Sequence, residues 1–197
     1  MSKEATDFTG IRLRVYNSLQ VSISLYMPVQ YTEKLPNFAA ACVTRGVFLR
    51  PSLSRRMKEI AYAHEIVHHI FNHIERGEGR EPVIWGLATD HVVHRILSDI
   101  NFTDTQEIKQ SGLVYFDEAP DGPAETVYRW LMNEIGNQLQ QGKKQFSVGG
   151  INFKVCECGS PSTNAPQTGS CGGSAPSTSR TSQPDGCTGA CEGFGNY

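Results

Sequence analysis

The chain has 197 residues, with 18 Lys and Arg against 20 Asp and Glu, a length that suits one domain or one domain plus an appendage. The near-balanced charge leaves no basis for a broad nucleic-acid surface, and no window approaches the roughly 18 apolar residues that span a bilayer. The polar start MSKEATDFTG lacks the apolar stretch of a secretory leader, so the protein is expected to stay in the cytoplasm where it is made.

The first stretch, IRLRVYNSLQVSISLYM, carries two patterns at once. Ile11, Leu13, Val15 and Val21, Ile23, Leu25 alternate as in strands, whereas Leu13, Tyr16, Leu19 and Ile23 share one helical face; the helical pattern is preferred. Next, AACVTRGVFLRP reads as a strand. Cys42 lies within it and is expected to be a small buried hydrophobe. A helix over residues 54–75 follows, opened by Pro51 and Ser52 or Ser54 and closed by Gly77 and Gly79, with an apolar stripe of Ile60, Ala63, Val67, Ile70, Phe71 and Ile74. A second helix starts near Pro82, a residue suited to a first turn, and carries Ile84, Leu87, Val92, Val93, Ile96 and Leu97. A third covers residues 123–139 with Val127, Trp130, Leu131 and Ile135 inward. QFSVGGINFKV reads as a hairpin around Gly149-Gly150.

Composition breaks after Val155. Residues 156–197 hold eight Gly, seven Ser, five Thr and four Pro but no Leu, Ile, Val or Met, too little apolar surface to offset ordering entropy. The expected organisation is a mostly helical α+β domain with a small β-sheet over residues 8–155, followed by a flexible Cys-, Gly- and Ser-rich tail over 156–197. Cys156, Cys158, Cys171, Cys187 and Cys191 are irregularly spaced. A second thiolate zinc site among them is possible on residue type alone, but free thiols on a flexible tail are preferred, and stable disulfides do not suit a reducing cytoplasm.

Four of the six histidines fall within ten positions, and His64-Glu65-Ile66-Val67-His68 forms an HExxH motif inside the helix over 54–75. Residues four apart sit about 40° apart around a helix, so His64 and His68 point the same way. Two imidazoles at that spacing can share a tetrahedral Zn²⁺ and leave room for a third ligand and a water. Glu65 flanks the same site, where it can take a proton from that water and deliver it to a leaving amine. Two histidines and a glutamate on a buried face would be costly without such a partner.

For the third ligand, Asp90 in WGLATDHVVHRIL is favoured over His94, four residues on, because Asp90 lies among Leu87, Ala88, Val93 and Leu97, where an unpaired carboxylate is expensive. His73 ranks last. It lies about 140° around a straight helix from His68, and HIFNHIER contains neither Gly nor Pro to break the helix.

The order HEIVHHIFNH, WGLATDHVVHRIL, SGLVYFDEAP…AETVYRWL resembles the metallopeptidase domain family often found beside a von Willebrand A-like domain. That family shows HExxHxxxxH, then Trp with Ala-Ala-Asp-x-x-x-Asn, a Leu-Pro-x-Gly turn and a Glu-x-x-Tyr helix. The matching positions here are His64, Glu65, His68, His73, Trp85, Ala88, Asp90, Gly112, Glu125 and Tyr128, across roughly residues 25–140. His94, Thr89 and Ser111 depart from the pattern, and a Cys-rich tail stands where the von Willebrand domain would follow. The resemblance implies a zincin-like fold and zinc peptidase chemistry; the third ligand stays open, since both His73 and Asp90 match.

A peptide hydrolase also needs a group to hold the oxyanion. Tyr115 and Tyr128 are the candidates, with His91 or His94 beside them. The strand over 41–49 precedes the metal helix, as the substrate-pairing edge strand does in zincin-like proteases, and can bind an extended peptide by strand addition. The expected function is therefore Zn²⁺-dependent hydrolysis of a protein or peptide substrate, with no nucleic-acid or membrane partner. The alternatives are a metal-stabilised scaffold protein and a metal hydrolase with a non-protein substrate.

Overall fold

A computed structural model of the chain describes residues 3–35, 39–42, 46–155 and 161–163. The fold is α+β: seven helices and two three-stranded sheets among the described residues. No helix is long and apolar enough to cross a membrane.

The N-terminal stretch is helical, as α1 (Lys3–Leu19) and α2 (Ile23–Tyr26). Its inward face differs from the expected one. Phe8, Ile11 and Val15 are buried while Leu13 is half-exposed, so the stripe runs at helical spacing through residues that also alternate as a strand would. β1 (Val29–Tyr31) pairs in parallel with β3 (Gly46–Leu49), and β2 (Ala39–Cys42) pairs antiparallel with β3, in the order β1-β3-β2. The expected single strand over 41–49 is thus two antiparallel strands. β3 lies in the middle with both backbone edges occupied, and only β2 and β1 keep an outer edge. The side chain of Cys42 lies outside the described residues.

Helix α3 (Arg55–Ile70) starts where expected: the Ser54 side chain accepts a hydrogen bond from Met57 N–H at 3.2 Å, an N-cap. It ends earlier than expected. The chain turns at Asn72, whose φ of 53° is left-handed, and restarts as α4 (His73–Arg76). Asn is among the few non-glycine residues that adopt this conformation readily, so neither Gly nor Pro is needed to stop the helix. Ile70 and Phe71, expected inward, are therefore 39% and 42% exposed. The new direction is held by Trp85, whose indole N–H donates to His73 C=O at 2.8 Å, and by Arg76, which donates to Phe71 C=O at 2.8 Å.

Helix α5 (Pro82–Asp99) has Pro at its first position and Glu81 as N-cap, the carboxylate accepting from Ile84 N–H at 2.7 Å. It belongs to both apolar clusters. Val93 and Leu97 join α1, the first sheet and Ile60, Tyr62, Ile66 and Val67 of α3. Ile84, Trp85, Leu87, Ala88 and Val92 join the second cluster. The partners there are Val127, Leu131 and Ile135 of α7 (Ala124–Gln140), with Val148 and Phe153 of the hairpin β4 (Gln145–Val148) and β5 (Ile151–Val155). Gly149 and Gly150 turn that hairpin with φ of 55° and 80°, the two positive values an I′ turn requires. β6 (Pro161–Thr163) adds antiparallel to β5, so the sheet continues past Val155. Cys156, Cys158, Cys171, Cys187, Cys191 and the rest of the tail lie outside the described residues.

A short helix absent from the sequence reading, α6 (Thr105–Gln110), is capped by Asp104, which accepts from Glu107 N–H at 2.6 Å. The Asp104-x-x-Glu107 spacing is the local signal for it. Arg56 of α3 forks onto Glu107 at 2.8 and 2.6 Å, and this hydrogen bond holds the Glu107 carboxyl down to about 2, from 4.5. A carboxyl lowered by folding stabilises the fold above its unfolded pKa and loses that contribution as pH falls through the folded one. Glu107→Gln should thus cost about 1 kcal/mol at pH 6, after solvent screening of a half-buried pair, and near zero at pH 2. Urea midpoints of both proteins across that range measure it.

Candidate metal centre

α3 and α5 face each other with two chemistry-bearing pairs, each one helical turn apart: His64 and His68 on α3, Asp90 and His94 on α5. All four side chains are buried, and Glu65 is fully so. His64 Nε2 lies 2.9 Å from His68 Nε2. Asp90 Oδ1 lies 3.5 Å from the first and 3.3 Å from the second. Among the described residues, His64, His68 and Asp90 form a group that can hold a metal ion.

The spacing suits an ion. Zinc bonds of 2.0–2.1 Å in a tetrahedron put ligand atoms about 3.3–3.4 Å apart, and the three separations bracket that value. Two imidazole nitrogens and a carboxylate oxygen form a donor set found around zinc where a fourth position is kept free. Burial alone would raise the Asp90 carboxyl, but the His64 and His68 imidazoles beside it, at 3.5 and 3.3 Å, outweigh burial and hold the group below the usual carboxylate range. Burial likewise pushes His68 down to about 4, helped by the neighbouring His64. For His64 burial works downward too, yet Asp90 and the Glu65 charge raise it overall. The protein thus concentrates negative charge and lone pairs at one buried point.

The other histidines surround this group. His94 is brought in as expected of a third-ligand candidate, but it sits behind His64: its Nε2 is 3.0 Å from His64 Nδ1 and its Nδ1 is 2.7 Å from Val114 C=O. His73 is a correction. The turn at Asn72 swings it inward until it is 1% exposed, with its Nδ1 3.2 Å from His68 Nδ1. It therefore abuts the far side of the His68 ring from Asp90 and is not one of the three converging groups. Asn72 was the signal in the sequence. His69, four residues before His73, is half-buried.

Glu65 acts on His64 through its charge. Tyr128 accepts a hydrogen bond from Glu81 N–H at 3.0 Å, at the start of α5, with its ring near Trp85. Tyr115 packs its ring edge-on to His91 at 5.2 Å. His91 accepts from Phe116 N–H through Nδ1 at 3.2 Å and is buried. Neither tyrosine belongs to the His64, His68 and Asp90 group.

Trp85 links the centre to its surroundings, and Gly77 leaves space for it. A Cβ on Gly77 would stand 2.7 Å from indole Cδ1 and Nε1. Gly77→Ala should displace the indole from His73 C=O and cost about 1–3 kcal/mol. Thermal melts, with tryptophan fluorescence in a Trp130→Phe background, measure both effects.

Comparison of the chain with family models, with curated proteins and with solved structures finds no match.

Proposed function

We propose that this chain is a zinc-dependent peptidase of zincin-like fold, with His64, His68 and Asp90 as metal ligands and Glu65 as general base. The observation that carries the reading is the convergence of His64 Nε2, His68 Nε2 and Asp90 Oδ1 within 3.5 Å of one another, from facing helices, with Glu65 next in the chain to the first ligand. A Zn²⁺ bound there would supply Lewis acidity toward a scissile carbonyl and lower the pKa of a water it holds. Glu65 would accept the proton of the attacking water and return it to the leaving amine. The oxyanion role falls to Tyr115 or Tyr128; loss of turnover with zinc retained in one Tyr→Phe variant would assign it.

Three protein ligands, with no fourth in the group among the described residues, favour a catalytic over a closed structural site. One observation favours a second reading, a metal that only stabilises the fold: His64, Glu65, His68 and Asp90 are all at most 3% exposed, so a substrate requires the centre to open. The resemblance of the HExxH, Trp-x-x-Ala-x-Asp and Glu-x-x-Tyr segments to the metallopeptidase family supports the catalytic reading.

The test is zinc content and hydrolysis of an unfolded protein such as reduced, alkylated albumin. About one zinc per chain, lost in His64→Ala together with cleavage, is the expected result. Zinc without cleavage would leave the stabilising role, and zinc content unchanged by His64→Ala would end the metal reading.

A further inference from the structure

By residue type alone His94 is a rival ligand or an oxyanion group. The structure places it in a row of hydrogen-bonding atoms with a definite direction. At one end is a backbone carbonyl, Val114 C=O, which can only accept. His94 Nδ1 lies 2.7 Å from it and so must carry a proton. His94 is fully buried, with His64 Nδ1 3.0 Å from its Nε2. A single proton can occupy that N···N contact. If it sat on His94 the ring would be a cation at 0% exposure, a costly arrangement. It therefore sits on His64 Nδ1, and His94 Nε2 accepts.

From this we infer that His94 is a positioning residue: it dictates which nitrogen of His64 is protonated, and leaves His64 Nε2 as the lone pair turned toward His68 and Asp90. The inference rests on the metal-centre reading for its purpose but not for its geometry. A ring that is free to choose its tautomer places a proton on Nε2 in a good part of the population, and that proton must leave before a metal can bind. Val114 removes the choice through His94. Metal-binding histidines in general donate their second N–H to such a partner; here the partner is itself an imidazole, and a carbonyl sets its direction. Among the described residues, the His68 ring has no such carbonyl-directed partner. Its neighbour is the Nδ1 of His73, 3.2 Å away, and the His73 C=O accepts from the Trp85 indole and from Gly77 N–H, which says nothing about its ring. The direction of the His68–His73 contact is thus not imposed from outside.

The experiment is histidine ring ¹⁵N–¹H correlation spectroscopy on the full chain without metal, joined to zinc titration of His94→Leu and His94→Gln. His94 should appear protonated on Nδ1 and bare on Nε2, the less common tautomer of free histidine, with His64 protonated on Nδ1. His94→Leu should bind zinc about 10–100-fold more weakly. His94→Gln, which keeps one donor and one acceptor, should recover most of the loss. A wild-type His94 protonated on Nε2 overturns the inference, as does a folded His94→Leu that binds zinc within about twofold of wild type. If His94→Leu does not fold, the wild-type spectrum decides alone. Protein that takes up no zinc but shows the expected tautomers would overturn the metal reading and uphold the ring order.

Discussion

Asp90→Ala is expected to lower zinc affinity by more than the roughly 10–100-fold that loss of an outer partner costs, and His73→Ala by no more than that range. Asp90 Oδ1 is the one oxygen of the group and sits 3.5 and 3.3 Å from the two ligand nitrogens. Its removal leaves two neutral imidazoles to hold a dication in a buried site, without the coordinating charge that offsets the ion's lost hydration. His73 touches only the Nδ1 side of His68, so its loss loosens a ligand without deleting one. Competition titrations of both variants against a chromophoric chelator, side by side, give the answer. Loss of the metal in His73→Ala with retention in Asp90→Ala would reverse the assignment and make the centre a three-histidine one.

The second large effect is on turnover. Glu65→Gln should keep zinc and fold while abolishing cleavage, because the amide has the same shape but cannot take up the water's proton. Glu65 is fully buried on α3, so the isosteric change avoids the cavity that Glu65→Ala would open. Loss of a positioned general base costs typically 10²–10⁴-fold. Cleavage comparable to wild type in Glu65→Gln would remove Glu65 from the chemistry. Equal loss of zinc in that variant would make it a structural residue.

Much of the local structure was legible because it depends on neighbours in sequence. The Ser54 cap, Pro82 at the start of α5, the Gly149-Gly150 turn and the i, i+4 convergence of His64 and His68 each follow from backbone geometry over a few residues. The α6 helix was just as local, through the Asp104 cap, but it is only six residues long and has no apolar stripe to announce it. The inward face of α1 was harder to read. Ile11 and Val15 serve a strand and a helix pattern equally, and only the neighbours packed against them separate the two.

What the sequence by itself determined is the pair of imidazoles on one helix face, the glutamate between them, and an Asp90 too expensive to bury alone. Those follow from helical period and desolvation cost, which act within one element. The tertiary structure alone decided how the remaining histidines are used. Asn72 could continue a helix or leave it, and contacts from Trp85 and Arg76, at 2.8 Å each to backbone carbonyls, select the turn that buries His73. Asp90 and His94 lie on the same face of α5 and look equivalent as ligands. Their roles part because Val114, twenty residues beyond His94, brings a carbonyl to one ring and not to the carboxylate. A backbone acceptor has no side-chain signature, so no pattern in the residues could have placed it there.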